Sequence, residues 1–141
     1  MSEQKPIPTG HWERSNRSGR AGELVVGGRL VELGFDLYWP VNDRPAIDVV
    51  SVWKDSVVNR VQIKTKSLPR DTQLSQEVRV GGTDVKKYDF LIAYLVTQTA
   101  FYVLPADQIK TKINILFYPN GKTTKIENDY ESFRDAWHLL K

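Results

Sequence analysis

The sequence predicts a single α/β domain. Three observations carry that expectation: a helical apolar pattern from about Arg20 to Leu33, two Val- and Ile-rich runs flanking a polar turn within 47–66, and further apolar runs at 89–104 and 113–118 ahead of an aromatic helical stripe. A length of 141 residues suits one ordinary domain, which buries roughly two-thirds of the surface its unfolded chain exposes. With 40% apolar and 26% charged residues the composition is globular. There is neither a long apolar span nor a charged n-region followed by an apolar core, so a soluble, cytoplasmic protein with no membrane partner is expected. The absence of cysteine excludes disulfides, thiolate zinc sites and cysteine nucleophiles. His11 and His138 lie near opposite ends of the chain, which argues against a histidine triad or a multi-histidine zinc centre. A net charge of +3 permits nucleic acid as a partner without requiring it.

Taken in order, residues 1–15 read as a mobile N-terminal tail, with Pro6, Pro8 and Gly10 among polar residues. Arg14, Arg17 and Arg20 follow closely among Ser15, Asn16, Ser18 and Gly19, a composition suited either to phosphate contact near a helix start or to a solvated cap. In the helix itself, Leu24, Val26, Leu30, Val31 and Leu33 fall in one arc, with Glu23 near its middle. A carboxylate on an apolar face is costly to bury ionised, so Glu23 requires a cation, a hydrogen-bonding partner or an escape to solvent. Gly22, Gly27 and Gly28 lower helix propensity but allow close backbone approach, a means of bringing Glu23 onto a sheet. Gly34 ends the helix, and Phe35–Trp39 alternates as a strand stopped by Pro40. Asp43 and Arg44, in the next loop, are positioned either to reach the mouth of a site or simply to form a turn.

The runs flanking Lys54-Asp55-Ser56 have the composition of a β-hairpin. A three-residue turn sets Trp53 opposite Val57 and Asp48 opposite Gln62; a two-residue turn would put the latter pair on opposite faces. Gln62 and Lys64 share a face by alternation, so the first register gathers a carboxylate, an amide oxygen and an ammonium into one small volume. That is the donor set of a metal and phosphate site, although a hairpin with a polar solvent face would also explain it.

Downstream, 67–77 reads as a polar loop with Lys66 and Arg70 at its base, Asp89–Val96 and Ala100–Leu104 as strands, and Ala106 to Lys110 as a short helix or turn. Ile113–Tyr118, Asn120-Gly121 and Thr123–Ile126 suggest a second hairpin. Gly121-Lys122-Thr123 mimics the end of a phosphate-binding P-loop, but Leu116 stands where that motif needs glycine and no helix pattern follows, so no nucleotide cofactor is expected. The C-terminal stripe Tyr130, Phe133, Trp137, Leu140 follows an approximate capping box at Asn128-Asp129-Tyr130-Glu131 and reads as a helix facing the core or a dimer partner.

Gly22-Glu23 on a first helix, Pro40 to Asp48 after a strand, and Gln62-Ile63-Lys64 on the next strand together resemble the PD-(D/E)XK nuclease superfamily over roughly residues 19–66. Within it, the Gly-Arg-Ala-Gly-Glu opening is similar to archaeal Holliday-junction resolvases and to cyanobacterial group I intron homing endonucleases, and Gln-x-Lys favours the latter. The resemblance implies a restriction-endonuclease-like αβββαβ core whose mixed central sheet is flanked by helices, with 16–141 as one nuclease-like domain. It further implies metal-dependent DNA cleavage, with Mg²⁺ (Mn²⁺ as substitute) held by Asp48, Gln62 and Glu23, and Lys64 beside it.

DNA as substrate, Arg14, Arg17, Arg20, Lys66 and Arg70 as its phosphate contacts, and a homodimer or higher homo-oligomer complete the expectation. The superfamily commonly has Asp or Glu where this chain has Gln62, so the metal site lacks one negative charge; Gln still coordinates through its carbonyl oxygen. Three functions fit: a homing- or restriction-type endonuclease, a resolvase of branched DNA, and a non-catalytic DNA-binding module of the same fold.

Overall fold

The structure is a computed structural model that describes residues 11–42, 46–67, 75–81, 85–110, 112–121 and 130–141, with side chains from residue 16 onward. Residues 1–10, Asp43, Arg44, Arg70 and the expected hairpin arm at 123–126 lie outside the described residues. Helix α1 (His11–Glu32) begins upstream of the start that apolar periodicity gives, taking in residues 11–15 of the expected tail. It ends as expected on Gly34, whose φ of 97° is a left-handed cap suited to glycine. The Gly34 N–H donates to Val31 O and the Phe35 N–H to Leu30 O, the paired bonds of a Schellman motif.

Seven strands follow: β1 (Asp36–Tyr38), β2 (Val49–Trp53), β3 (Val57–Lys66), β4 (Gln76–Arg79), β5 (Phe90–Leu95), β6 (Ala100–Pro105) and β7 (Asn114–Phe117). Five of them form a sheet in the order β1-β2-β3-β5-β6. The β3 and β5 strands run parallel, whereas its other pairs are antiparallel, so the central sheet is mixed. The β2–β3 turn has three residues, with Trp53 opposite Val57 and Ser56 N–H donating to Trp53 O. This is the register that carries Asp48 toward Gln62.

Both faces of the sheet are covered. On one, Val26 and Leu30 of α1 pack with Val49, Val61, Ile63, Ile92 and Val103, joined by Trp137 and Leu140. On the other, Leu91, Ala93, Leu95, Tyr102 and Leu104 pack beneath Val78, Ile115 and Phe117, supplied by a two-stranded ribbon of β4 and β7. Burial on both sides explains why β5 is a continuous apolar run instead of an alternating one.

Three expectations require correction. The buried side of α1 is Gly22, Val26 and Leu30, whereas Leu24 and Val31 are 70% and 58% exposed. Val26, Leu30 and Leu33 of the expected arc do meet the core, but Gly22 and Gly27 complete the contact face in place of Leu24 and Val31. Second, β7 pairs with β4, whose Gln76 and Glu77 fall in the expected polar loop; alternating burial of Gln76 and Val78 against Glu77 and Arg79 makes this a half-buried strand despite its polar composition. Third, the C-terminal stripe forms two 3-10 turns, Glu131–Phe133 and Trp137–Leu140, separated by extended Arg134 and by Asp135 with φ 51°. Tyr130 joins the core on one sheet face while Trp137 and Leu140 join the core on the other, a division no single straight helix can serve.

Candidate metal and nuclease site

Asp48 immediately precedes β2, after a turn at Ala46, while Gln62 and Lys64 follow one another on one face of β3. The Asp48 Oδ2 atom accepts a hydrogen bond from Gln62 Nε2 at 2.9 Å and another from the Ile63 backbone N–H at 2.7 Å. The Asp48 N–H in turn donates to Val61 O at 2.9 Å. Thus the carboxylate itself takes up a backbone donor of β3 where the hairpin ladder ends. Burial raises the Asp48 pKa above the usual carboxylate value, against the Ile63 N–H and the positive charges of Lys64 and Arg20.

Gln62 is 7% exposed, and its Oε1 is buried without a hydrogen-bond partner among the described residues. An unsatisfied carbonyl oxygen in such a place is costly, and it lies on the side chain that already touches Asp48. Rotating the terminal amide by half a turn exchanges its oxygen and nitrogen at little torsional cost, which would offer the oxygen to a cation shared with Asp48.

The helix reaches the site through Gly22. A Cβ placed there would lie 1.8 Å from Thr65 Oγ1 and 2.7 Å from Thr65 Cβ, so only glycine lets α1 sit this close to β3. The next residue is Glu23, with a 17% exposed side chain whose Oε2 accepts from Arg20 Nη1 at 3.1 Å. The Arg20 charge also favours the ionised form of Asp48, so one guanidinium acts on both carboxylates.

Asp48 and Gln62 are therefore in direct contact, and Lys64 and Arg20 act on Asp48 through charge. Arg17 is exposed, Lys66 is half-buried at the end of β3, Arg14 lies on α1, and Arg70 falls outside the described residues. Sequence reading missed the Ile63 N–H, since backbone donors carry no residue signature, and assigned Arg20 to DNA without its bond to Glu23. Among the described residues no three His, Asp or Glu side chains cluster as metal ligands, in keeping with an amide at position 62. The oxygen donors of Asp48, Gln62 and Glu23 are all hard, and such donors suit Mg²⁺ or Mn²⁺.

Comparison with known proteins decides the family. Residues 14–140 match the model of the PD-(D/E)XK endonucleases. The chain belongs to the PD-(D/E)XK endonuclease family. Protein 5.3 of Escherichia phage T7 is 27% identical over 113 residues, covering 77% of this chain and 95% of that protein. The structure of the bacterial homing endonuclease I-Ssp6803I superposes with a TM-score of 0.74 at 24% identity, covering 89% of this chain and 90% of that one. The Archaeoglobus fulgidus Holliday junction resolvase Hjc gives 0.49 at 16% identity over 74% of this chain and 89% of its own. The first superposition establishes the restriction-endonuclease-like fold, with its mixed sheet and α1. Among the described residues of this PD-(D/E)XK chain, no helix is long and apolar enough to cross a membrane.

Proposed function

We propose that this protein is a metal-dependent DNA endonuclease of homing or restriction type, with Asp48, Gln62 and Glu23 as metal ligands and Lys64 as the adjoining cation. The observation that carries the reading is the desolvated Asp48 carboxylate in contact with Gln62, whose carbonyl oxygen has no hydrogen-bond partner among the described residues. Both groups gain from a hard divalent cation, and the family supplies the chemical class. When bound, Mg²⁺ or Mn²⁺ polarises the phosphoryl oxygen, stabilises the leaving 3′ oxygen and lowers the pKa of the attacking water.

Lys64 orients that water and balances the negative charge that accumulates on phosphorus-bound oxygens. As an ammonium it has no lone pair, so its role is electrostatic. Arg14, Arg17, Arg20, Lys66 and Arg70 contact the DNA backbone, and a homodimer or higher homo-oligomer brings a second site to the opposite strand. Purified protein with plasmid DNA and Mg²⁺ should produce discrete cuts. Asp48→Ala should abolish them, and Lys64→Ala should slow them by about 10²–10³-fold; unimpaired cutting by Lys64→Ala would remove Lys64 from the mechanism.

The amide at position 62 also supports a second reading, a DNA-binding module that has lost cleavage. It predicts no cuts with Mg²⁺ or Mn²⁺ on any DNA form, together with intact DNA binding.

A further inference from the structure

The sheet face that carries Gln62 continues away from the site as an open surface. Register places Arg60, Val50 and Tyr38 in one row across β3, β2 and β1, and Val58, Val52 and Asp36 in the next. Gln62 is two residues along β3 from Arg60, so its side chain lies on the same face, and Val50 stands two residues beyond Asp48. Tyr38 is 62% exposed and Val58 58%, while Val50 and Val52 are half-buried. Tyr38 has no hydrogen bond or ring contact among the described residues. The backbone of Tyr38 thus stands about 8 Å from that of Asp48, one strand spacing across and two residues along, with its exposed ring on the same sheet face.

Charge limits what fits there. The Arg60 guanidinium leans toward β5, donating to Asp89 from Nε at 3.2 Å and from Nη2 at 3.0 Å, and the remaining charge on the face is the exposed carboxylate of Asp36. Such a face offers phosphates nothing, whereas Lys64 and Lys66 beside it do. Among the described residues the cation of this face, Arg60, is already engaged by Asp89, so the face lacks the basic groups that would hold the two phosphate backbones lining a groove. An unpaired base has the matching chemistry, since its apolar face stacks on aromatic side chains regardless of sequence.

We propose that Tyr38, with Val50 and Val58, seats an unpaired nucleotide of the DNA strand beside the scissile phosphate, so that the site favours DNA with a single-stranded segment at the cut. This inference rests on the endonuclease reading and adds a substrate form to it. Tyr38 is a specificity-determining residue in this account.

The test is metal-free binding, followed by fluorescence anisotropy, to a blunt duplex and to the same duplex with splayed single-stranded arms carrying 2-aminopurine at the fork. Wild-type protein should bind the splayed form about tenfold more tightly, the scale of one base–aromatic stack, and quench the 2-aminopurine. Tyr38→Ala should erase both effects and keep its affinity for blunt duplex, and Tyr38→Phe should retain them. Equal wild-type affinity for the two forms, or an undiminished preference and quench in Tyr38→Ala, overturns the inference. Cleavage with Mg²⁺ is scored separately. Splayed-form preference without cutting of any DNA sinks the endonuclease reading alone, whereas cutting that ignores the fork and Tyr38 sinks the stacking role alone.

Discussion

Asp48 and Gln62 form an uneasy pair in the metal-free protein. Burial disfavours the Asp48 charge more than Ile63 N–H, Lys64 and Arg20 favour it, so its folded pKa stands above the ordinary value of 3.8. Between that ordinary value and the raised one, the folded state binds more protons than the unfolded state. Stability therefore falls as pH rises through this window, and the ionised group destabilises the metal-free fold at neutral pH. Asp48→Asn keeps an acceptor for Ile63 and Gln62 while removing the charge. It should raise the metal-free Tm at pH 7 and flatten its dependence on pH across the window, with about 2–4 °C expected for each kcal/mol recovered. In the same melts Mg²⁺ should stabilise wild type but not Asp48→Asn, because a ligand stabilises only the state that binds it. Gln62→Glu perturbs the pair in the opposite sense: a second carboxylate against Asp48 lowers the metal-free Tm and enlarges the gain from Mg²⁺. A wild-type Tm indifferent to Mg²⁺ would count against the ligand assignment.

Helix α1 matters through its contact with β3 more than through its own stability. Gly22→Ala would drive a methyl into Thr65, and because Thr65 Cβ belongs to the strand the clash moves the helix, not just a side-chain tip. A cost of about 1–3 kcal/mol is expected for such overpacking, with cleavage falling further as Glu23 is displaced. Thr65→Ala in the same chain should restore part of the loss, since Oγ1 and Cγ2 leave but Cβ stays 2.7 Å from the added methyl. Gly28 is the control: nothing lies within 4 Å of a Cβ there, so Gly28→Ala should stabilise by about 0.5–1 kcal/mol through helix propensity alone. Chemical denaturation of the three variants checks both signs. The contact also explains what was legible in the sequence. Asp48 and Gln62 could be placed together for a three-residue turn, with Lys64 on their face by strand alternation, but the turn length itself was settled only by the structure. The orientation of α1 was legible only in part: Val26, Leu30 and the close approach at Gly22 could be read, but hydrophobicity also put Leu24 and Val31 on the buried face, where the structure leaves them exposed. The β4–β7 pairing was not legible: in it the polar residue Gln76 is buried opposite Phe117, 41 residues away in the chain.

For the molecule as a whole, a net charge of +3 is too small to supply the proposed DNA binding by itself, so the distribution of charge decides. Arg17 and Arg20 on the N-terminal half of α1 and Lys64 and Lys66 on the C-terminal half of β3 flank the candidate site, because α1 packs against that strand. Arg29 lies about 18 Å farther along α1 than Arg17 at 1.5 Å per residue, and its Nη1 is already 3.1 Å from Glu32 Oε2. That separation exceeds a screening length of about 8 Å at physiological ionic strength, so Arg29 and the site basic groups act independently. Each lysine or arginine that touches a phosphate releases a counterion when DNA binds, and the slope of log affinity against log salt counts those contacts. Lys66→Ala should lower the magnitude of the slope by about 1 and weaken all DNA sequences alike. Arg29→Ala should leave the slope unchanged. Salt titrations of metal-free binding to one duplex measure both, and a slope that responds to Arg29 but not to Lys66 would move the DNA path away from the Asp48 end of the sheet.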